Sequence, residues 1–138
     1  MGKVVAPEVI AERTLEIVQR ISRHIVAIED PRSVFGFNLW FKNRYVNVYM
    51  RQGRRVNVDT RAWVHTLEIS SINVKTEKKG YFTSFLNQME KLAATHGLTI
   101  LVENVANEHL QAFMLKRGYA EYRSPGGGGD WPPTYWQA

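Results

Sequence analysis

The chain has no cysteine, which removes disulfides, thiolate metal sites and cysteine nucleophiles and fits a reducing compartment. Long apolar runs are missing as well. Glu8, Glu12, Arg13 and Glu16 interrupt the apolar residues near the N-terminus, so the expectation is a cytoplasmic protein with no leader and no membrane partner. Neither Gly-x-Ser-x-Gly nor Gly-x-x-x-x-Gly-Lys-Ser/Thr occurs, which sets aside the serine-hydrolase elbow and the phosphate-binding loop of NTPases. His24, His65, His96 and His109 show no ligand spacing, and no metal is expected.

What is present suits one globular domain over residues 1–138: 44% apolar and 22% charged residues, with a single low-complexity run at Gly126 to Gly129. The net charge is +5, and Lys42, Arg44, Arg51, Arg54, Arg55 and Arg61 face one acid, Asp59, within a short segment. Such a field attracts nucleic acid, phosphorylated cofactors or acidic protein surfaces. Arg44, Arg51, Arg54 and Arg55 are therefore the candidate face for a polyanion or acidic partner. Trp40, Tyr45, Tyr49 and Trp63 interleave with these cations, either as stacking platforms or as the inner face of a sheet.

Pro7 and Glu8 open a helix whose Ile10, Ile17, Val18, Ile21 and Ile25 share a face as far as about Ala27, and Pro31 marks its end. Val34 to Phe41 and Arg44 to Met50 read as strands joined at Lys42-Asn43. A turn at Gln52-Gly53 leads to a third strand from Val56 to Trp63, running on into Leu67 to Val74. A helix follows Gly80, with Phe85, Leu86, Met89, Leu92 and Ala93 on one face and Gly97 as its C-terminal cap. Leu98 to Val102 is apolar enough for a central strand, Asn107 caps another helix that stops at Gly118, and Tyr119 to Arg123 begins a strand. Trp131 to Trp136 reads as a last strand whose prolines favour an edge. The order predicts an α+β fold: a mixed, mostly antiparallel sheet with helices on both faces.

The centre of this arrangement is Leu67 to Leu86, a strand, a basic turn and a helix start, which together offer free backbone N–H groups and positive charge to an anion. Two local patterns resemble the GNAT family of N-acetyltransferases. Glu77-Lys78-Lys79-Gly80-Tyr81-Phe82, followed by Thr83, stands where that family has Gln/Arg-x-x-Gly-x-Gly/Ala, the turn that holds the pyrophosphate of acetyl-coenzyme A. Asn107 to Tyr119 resembles the family segment in which an asparagine and a helix line the pantetheine arm, with Phe113 at its aromatic position. Relative to the family the N-terminal half is shortened. The compact form and the Pro132-Pro133-Thr134-Tyr135-Trp136 ending also resemble small phage-encoded members.

The resemblance implies transfer of an acetyl group from acetyl-coenzyme A to an amine acceptor, by a monomer or homodimer. Backbone N–H groups of Ile72, Asn73 and Val74 would polarise the thioester carbonyl, and Lys78, Lys79, Gly80, Tyr81, Phe82, Thr83, Asn107 and Phe113 would bind the cofactor. Glu103 and Glu68, each in an apolar strand where burial raises a carboxylate's pKa, are the candidate general bases. The family's usual tyrosine after Phe113 is Met114 here, leaving Tyr119 or water as candidate proton donor. The rival reading is a protein of the same fold without catalysis that engages nucleic acid or a host protein through its basic face.

Overall fold

The computed structural model describes residues 5–57, 59–74, 80–122 and 132–137. Helix α1 (Pro7–Ser22) has proline in its first turn and buries Ile10, Thr14, Ile17, Val18 and Ile21. It ends five residues before the expected Ala27, where Ser22 Oγ donates to the Gln19 carbonyl (2.6 Å) and the chain peels away. Asp30 then caps a 3₁₀ turn, Pro31–Phe35, by accepting from Arg32 N (2.8 Å). The cap and the fixed φ of Pro31 favour this turn over the strand expected from Val34.

Strands β1 (Phe37–Lys42), β2 (Val46–Val56) and β3 (Trp63–Val74) form an antiparallel meander. Asn43 Oδ1 closes the first hairpin by accepting from Tyr45 N and Val46 N, both at 2.9 Å. No turn occurs at Gln52-Gly53. Gln52 is buried and clamped to Val26, Nε2 donating to its carbonyl and Oε1 accepting from its N–H (2.6 and 2.8 Å), while β2 stays paired with β3 as far as Val56. The reversal falls instead at Asn57, whose Oδ1 accepts from Asp59 N and Thr60 N, with Arg61 at φ +60°. The segment expected as strand from Val56 is thus this turn, and the third strand starts at Trp63.

Helix α2 (Tyr81–His96) follows, ended by Gly97 in the left-handed region at φ +68°. Next come β4 (Thr99–Val102), α3 (Glu108–Lys116, capped by Asn107 Oδ1 accepting from Leu110 N), β5 (Tyr119–Tyr122) and β6 (Thr134–Gln137). The strand order is β1-β2-β3-β4-β6-β5, with only β3 and β4 parallel. This is the expected α+β class with a mostly antiparallel sheet. β6 is internal rather than at the edge, because Pro132 and Pro133 lie ahead of its paired residues and take no donor from the ladder.

Among the described residues, helices on both faces are not what the chain forms. The crossovers β3-α2-β4 and β4-α3-β5 step the same way along the sheet, so the right-handed rule puts both helices on one face. α1 joins them there, bound to α2 through Thr14, whose Oγ1 donates to Gln88 Oε1 (2.7 Å) and shares a hydrogen bond with Ser84 Oγ (2.9 Å). One core results. Ile17 and Ile21 of α1, Phe85 and Met89 of α2 and Met114 of α3 meet Val48, Met50, Leu67, Ile69, Ile100 and Tyr135 of the sheet.

A β-bulge keeps that face continuous. Tyr49 pairs with Ser71 and Met50 with Ile69, leaving Ser70 as an extra residue, so Leu67, Ile69 and Ile72 all turn inward although their spacing breaks alternation. Because the bulge turns the half-buried Ile72 inward, Ile72→Ser should cost up to about 1.5–3 kcal/mol, whereas Ser71→Ala, at the exposed neighbour, should stay within about 0.5 kcal/mol of wild type. Urea denaturation of the two variants checks the difference; equal midpoints would contradict it.

Candidate functional site

The parallel pair is short. Thr66 to Ile69 lie beside Thr99 to Val102, and Glu103 N makes one more bond to the Ile69 carbonyl (2.9 Å). Beyond it β3 continues with β2 to Val74, while the other chain turns away at Asn104 (φ +55°) and follows β6, Val105 N donating to the Pro133 carbonyl at 2.8 Å. The sheet forks into two halves, β1-β2-β3 and β4-β6-β5. Between the arms opens a cleft of about 350 Å³, walled by Ser70, Ser71 and Ile72 on one side and Glu103, Asn107 and Leu110 on the other. No strand pairs with the cleft-facing edge of β3 beyond Ile69 among the described residues.

At the crotch of the fork, on the face away from the helices, two arginines of β2 meet two carboxylates. Arg55 Nε and Nη2 donate to Glu68 Oε2 and Oε1 (2.9 and 3.0 Å), and Arg51 Nη2 donates to Glu68 Oε1 (3.0 Å) and to Glu103 Oε1. Thr66 Oγ1 adds a bond to Glu68 Oε2 (2.7 Å) and Ser70 Oγ one to Glu103 Oε1 (3.0 Å). Strand alternation explains the meeting: Arg51 and Arg55 are four residues apart, Glu68 lies opposite Arg51, and Glu103 is two residues past Leu101, which neighbours Glu68.

The two carboxylates differ. Burial alone would push Glu68 up, but the bonds from Arg55 and Thr66 outweigh it and hold this carboxyl below its ordinary range. Glu103 is raised by its own burial and by the neighbouring Glu68. The bonds it accepts from Arg51, Arg55 and Ser70 all fall on Oε1, leaving Oε2 outside those three, and Glu103 is close enough to Glu68 to share a proton with it. Of the two candidate bases, Glu103 is thus the one on the cleft wall with an oxygen that the arginines do not hold. Glu68 is the anchor of the ion network, not a raised carboxylate.

Tyr119 lies elsewhere. Its hydroxyl donates to Glu90 Oε2 (2.7 Å) on the helical face, and burial and that carboxylate raise its pKa. A phenol made harder to ionise is a poor proton donor, and Tyr119 is not on the cleft. Met114 is fully buried in the core, so a tyrosine there would be overpacked rather than presented to the cleft. Of the four arginines, Arg51, Arg54 and Arg55 line one hollow and Arg44 does not. Arg44 sits seven residues from Arg51, roughly 23 Å along an extended chain, Arg54 stacks its guanidinium over Trp63 at 4.3 Å, and Arg51 and Arg55 are held by carboxylates.

Of the expected cofactor residues, Ile72 and Asn107 line the cleft. Gly80, at φ +110°, leads into α2, whose first turn has no side-chain cap, so the N–H groups of Tyr81, Phe82 and Thr83 stand at its open end. The Tyr81 side chain is core, stacked on Tyr45 and bonded by Arg13 Nη1 (2.6 Å). Phe82 and Phe113 pack edge to face at 5.9 Å, joining α2 to α3. Asn73 is exposed, and Lys78, Lys79 and the side chain of Val74 lie outside the described residues. Ser70, Thr66 and Asn104 escaped the sequence reading; the Ser70-Ser71 break in alternation was the one available signal. No group of three His, Asp or Glu side chains suited to a metal occurs among the described residues, and no helix there is long and apolar enough to cross a membrane. The chain matches no family model, no curated protein and no solved structure.

The network predicts unequal mutants. Glu68→Gln leaves two guanidiniums to one carboxylate and should cost about 2–3 kcal/mol, below the about 3–5 kcal/mol of a fully buried pair because both arginines keep roughly a third of their surface in water. Since the folded pKa of Glu68 is depressed, its contribution is present above the ordinary value of about 4.3 and fades as pH falls through the folded value. Glu103→Gln should cost less at neutral pH. Denaturant titrations between acid and neutral pH test both the ranking and the weakened acid sensitivity of Glu68→Gln.

Proposed function

We propose that this protein is an N-acetyltransferase that uses acetyl-coenzyme A and an amine acceptor. One observation carries the reading: the fork between β3 and β4, an open cleft with an unpaired strand edge on one wall and a carboxylate of raised pKa on the other. An unpaired edge offers backbone N–H and C=O groups to an extended, amide-bearing chain as a further strand would. The uncapped start of α2 after Gly80 offers N–H groups and a positive dipole end to phosphate. The two sequence patterns support the same reading.

When bound, acetyl-coenzyme A supplies the acetyl group as a thioester. The chain's own residues have three tasks. Backbone N–H groups in the Ile72 to Val74 stretch donate to the carbonyl oxygen as negative charge develops there. Glu103 Oε2 accepts the proton that the amine nitrogen must lose, directly or through a water, while its Oε1 stays fixed by Arg51 and Ser70. A raised pKa makes Glu103 a stronger base than an ordinary glutamate once ionised. The new C–N bond forms as the C–S bond breaks, and with Tyr119 engaged by Glu90 no side chain of this site is assigned to protonate the sulfur. The thiolate leaves without one, which slows the reaction rather than forbidding it, since a thiol pKa near ~8.5 makes a good leaving group.

Ala106 is exposed on the cleft rim, so Ala106→Trp fills the cleft without opening the core. Saturating acetyl-coenzyme A should raise the wild-type melting temperature and leave that of Ala106→Trp unmoved. Release of free coenzyme A with an amine panel should fall about 10²- to 10⁴-fold in Glu103→Gln, and its acidic limb in kcat/KM should disappear. An unshifted wild-type melting curve would overturn the proposal.

A further inference from the structure

Resting on that reading, we infer that the acceptor amine carries its own anionic group, a carboxylate or phosphate, which docks in a second hollow beside the cleft. The hollow holds about 310 Å³ and is lined by Asn38, Arg51, Gly53, Arg54, Arg55 and Glu68. It forms where β2 outruns its neighbour: β1 ends its pairing at Phe37 opposite Gln52, and β2 goes on to Val56 with no outer strand among the described residues. Gly53 sits between Arg51 and Arg55 on their face of the strand and has no side chain to fill the space.

Three features fit an anion. The lining carries Arg51, Arg54 and Arg55 against Glu68, and Glu103 bonds Arg51 and Arg55 from the cleft side, which leaves an excess of one positive charge. Arg51 and Arg55 are already oriented by their bonds to Glu68 and Glu103, so little rotamer freedom remains to be lost on binding. They also keep side-chain exposures of 36% and 28%, which leaves guanidinium surface open to the hollow. The size suits a small ligand rather than a nucleic-acid strand.

The hollow and the cleft lie on two sides of a single group. Arg51 lines the hollow while its Nη2 touches Glu103, the cleft's proton acceptor. An amine at Glu103 Oε2 and an anion on the outer side of Arg51 would be separated by one carboxylate, one guanidinium and two hydrogen bonds, on the order of 8–10 Å at most. A flexible molecule of about four to six carbons between its ends can span part or all of that distance. The acceptor class is thus an ω-amino acid or an aminoalkyl phosphate, and the acidic end fixes how the amine approaches Glu103.

Asn38 lies opposite Arg51, exposed and outside the ion network, so Asn38→Asp places a repelling charge in the hollow at little structural cost. Two readouts separate the hollow from the chemistry. First, glutarate and inorganic phosphate are titrated calorimetrically into wild type and Asn38→Asp; binding should weaken about tenfold in the variant. Second, ω-amino carboxylates, the matching aminoalkyl phosphates and uncharged amines of equal length are compared in kcat/KM. Preference for the anionic amines should drop about tenfold in Asn38→Asp, mainly through KM, and the better series identifies the source of the charge. Anion binding without acetylation of any amine would keep the hollow and overturn the transferase reading. Turnover of uncharged amines as good as that of anionic ones, unaffected by glutarate, would overturn this inference and leave the transferase reading standing.

Discussion

Two guanidiniums and two carboxylates meet where the sheet divides, and the rest of the site depends on their balance. Arg51 and Arg55 come from β2, Glu68 from β3 and Glu103 from the chain leaving β4. They tie the two half-sheets together at the last point where the strands still pair. Below that point the ladder and the apolar core hold the halves; above it only the cleft separates them. A buried carboxylate without a partner would be expelled or protonated, so the fork needs both arginines in place.

That requirement changes how the charge of the protein is understood. A net +5 concentrated between Lys42 and Arg61 suggests a basic surface, yet the extended strand spreads these residues over its length and alternates them between faces. Two of the arginines are turned to Glu68 and Glu103, and a third lies on Trp63. What remains is a small, ordered hollow with a slight excess of positive charge rather than a broad field. Small anions suit it better than a polyanion does, because the counterion release that drives polyanion binding needs many free cations along one path.

The asymmetry of the carboxylates follows from the same geometry. Glu68 is flanked by Arg55 in a two-pronged contact and by Thr66, while Glu103 shares one oxygen among three donors at the cleft wall. The more completely bonded group holds its charge and makes ionisation of its neighbour harder. One site thus contains a fixed anion and a group whose proton can move, the division of labour that acid–base chemistry requires.

Local chemistry alone determined much of the chain. Pro7, Gly97, Asn107 and Gly118 marked helix boundaries, apolar periodicity marked α2, β4 and the face of α1, and Gly80 marked the entry to α2, because caps and periodicity act within a few residues. The turn at Gln52-Gly53 and the edge position of the last strand failed because distant partners overrode local preference, as Val26 does for Gln52 and β4 for β6, whereas the strand from Val34 gave way to the local cap at Asp30 and the fixed φ of Pro31. Glu103 and Glu68 could be picked out as acids in apolar strands. Which one anchors and which one lines the cleft was decided by a bulge at Ser70, a parallel ladder of four residues and arginines 13 and 17 positions from Glu68. Pairing between strands far apart in the chain sets such distances, and no short stretch of sequence contains both sides of the pair.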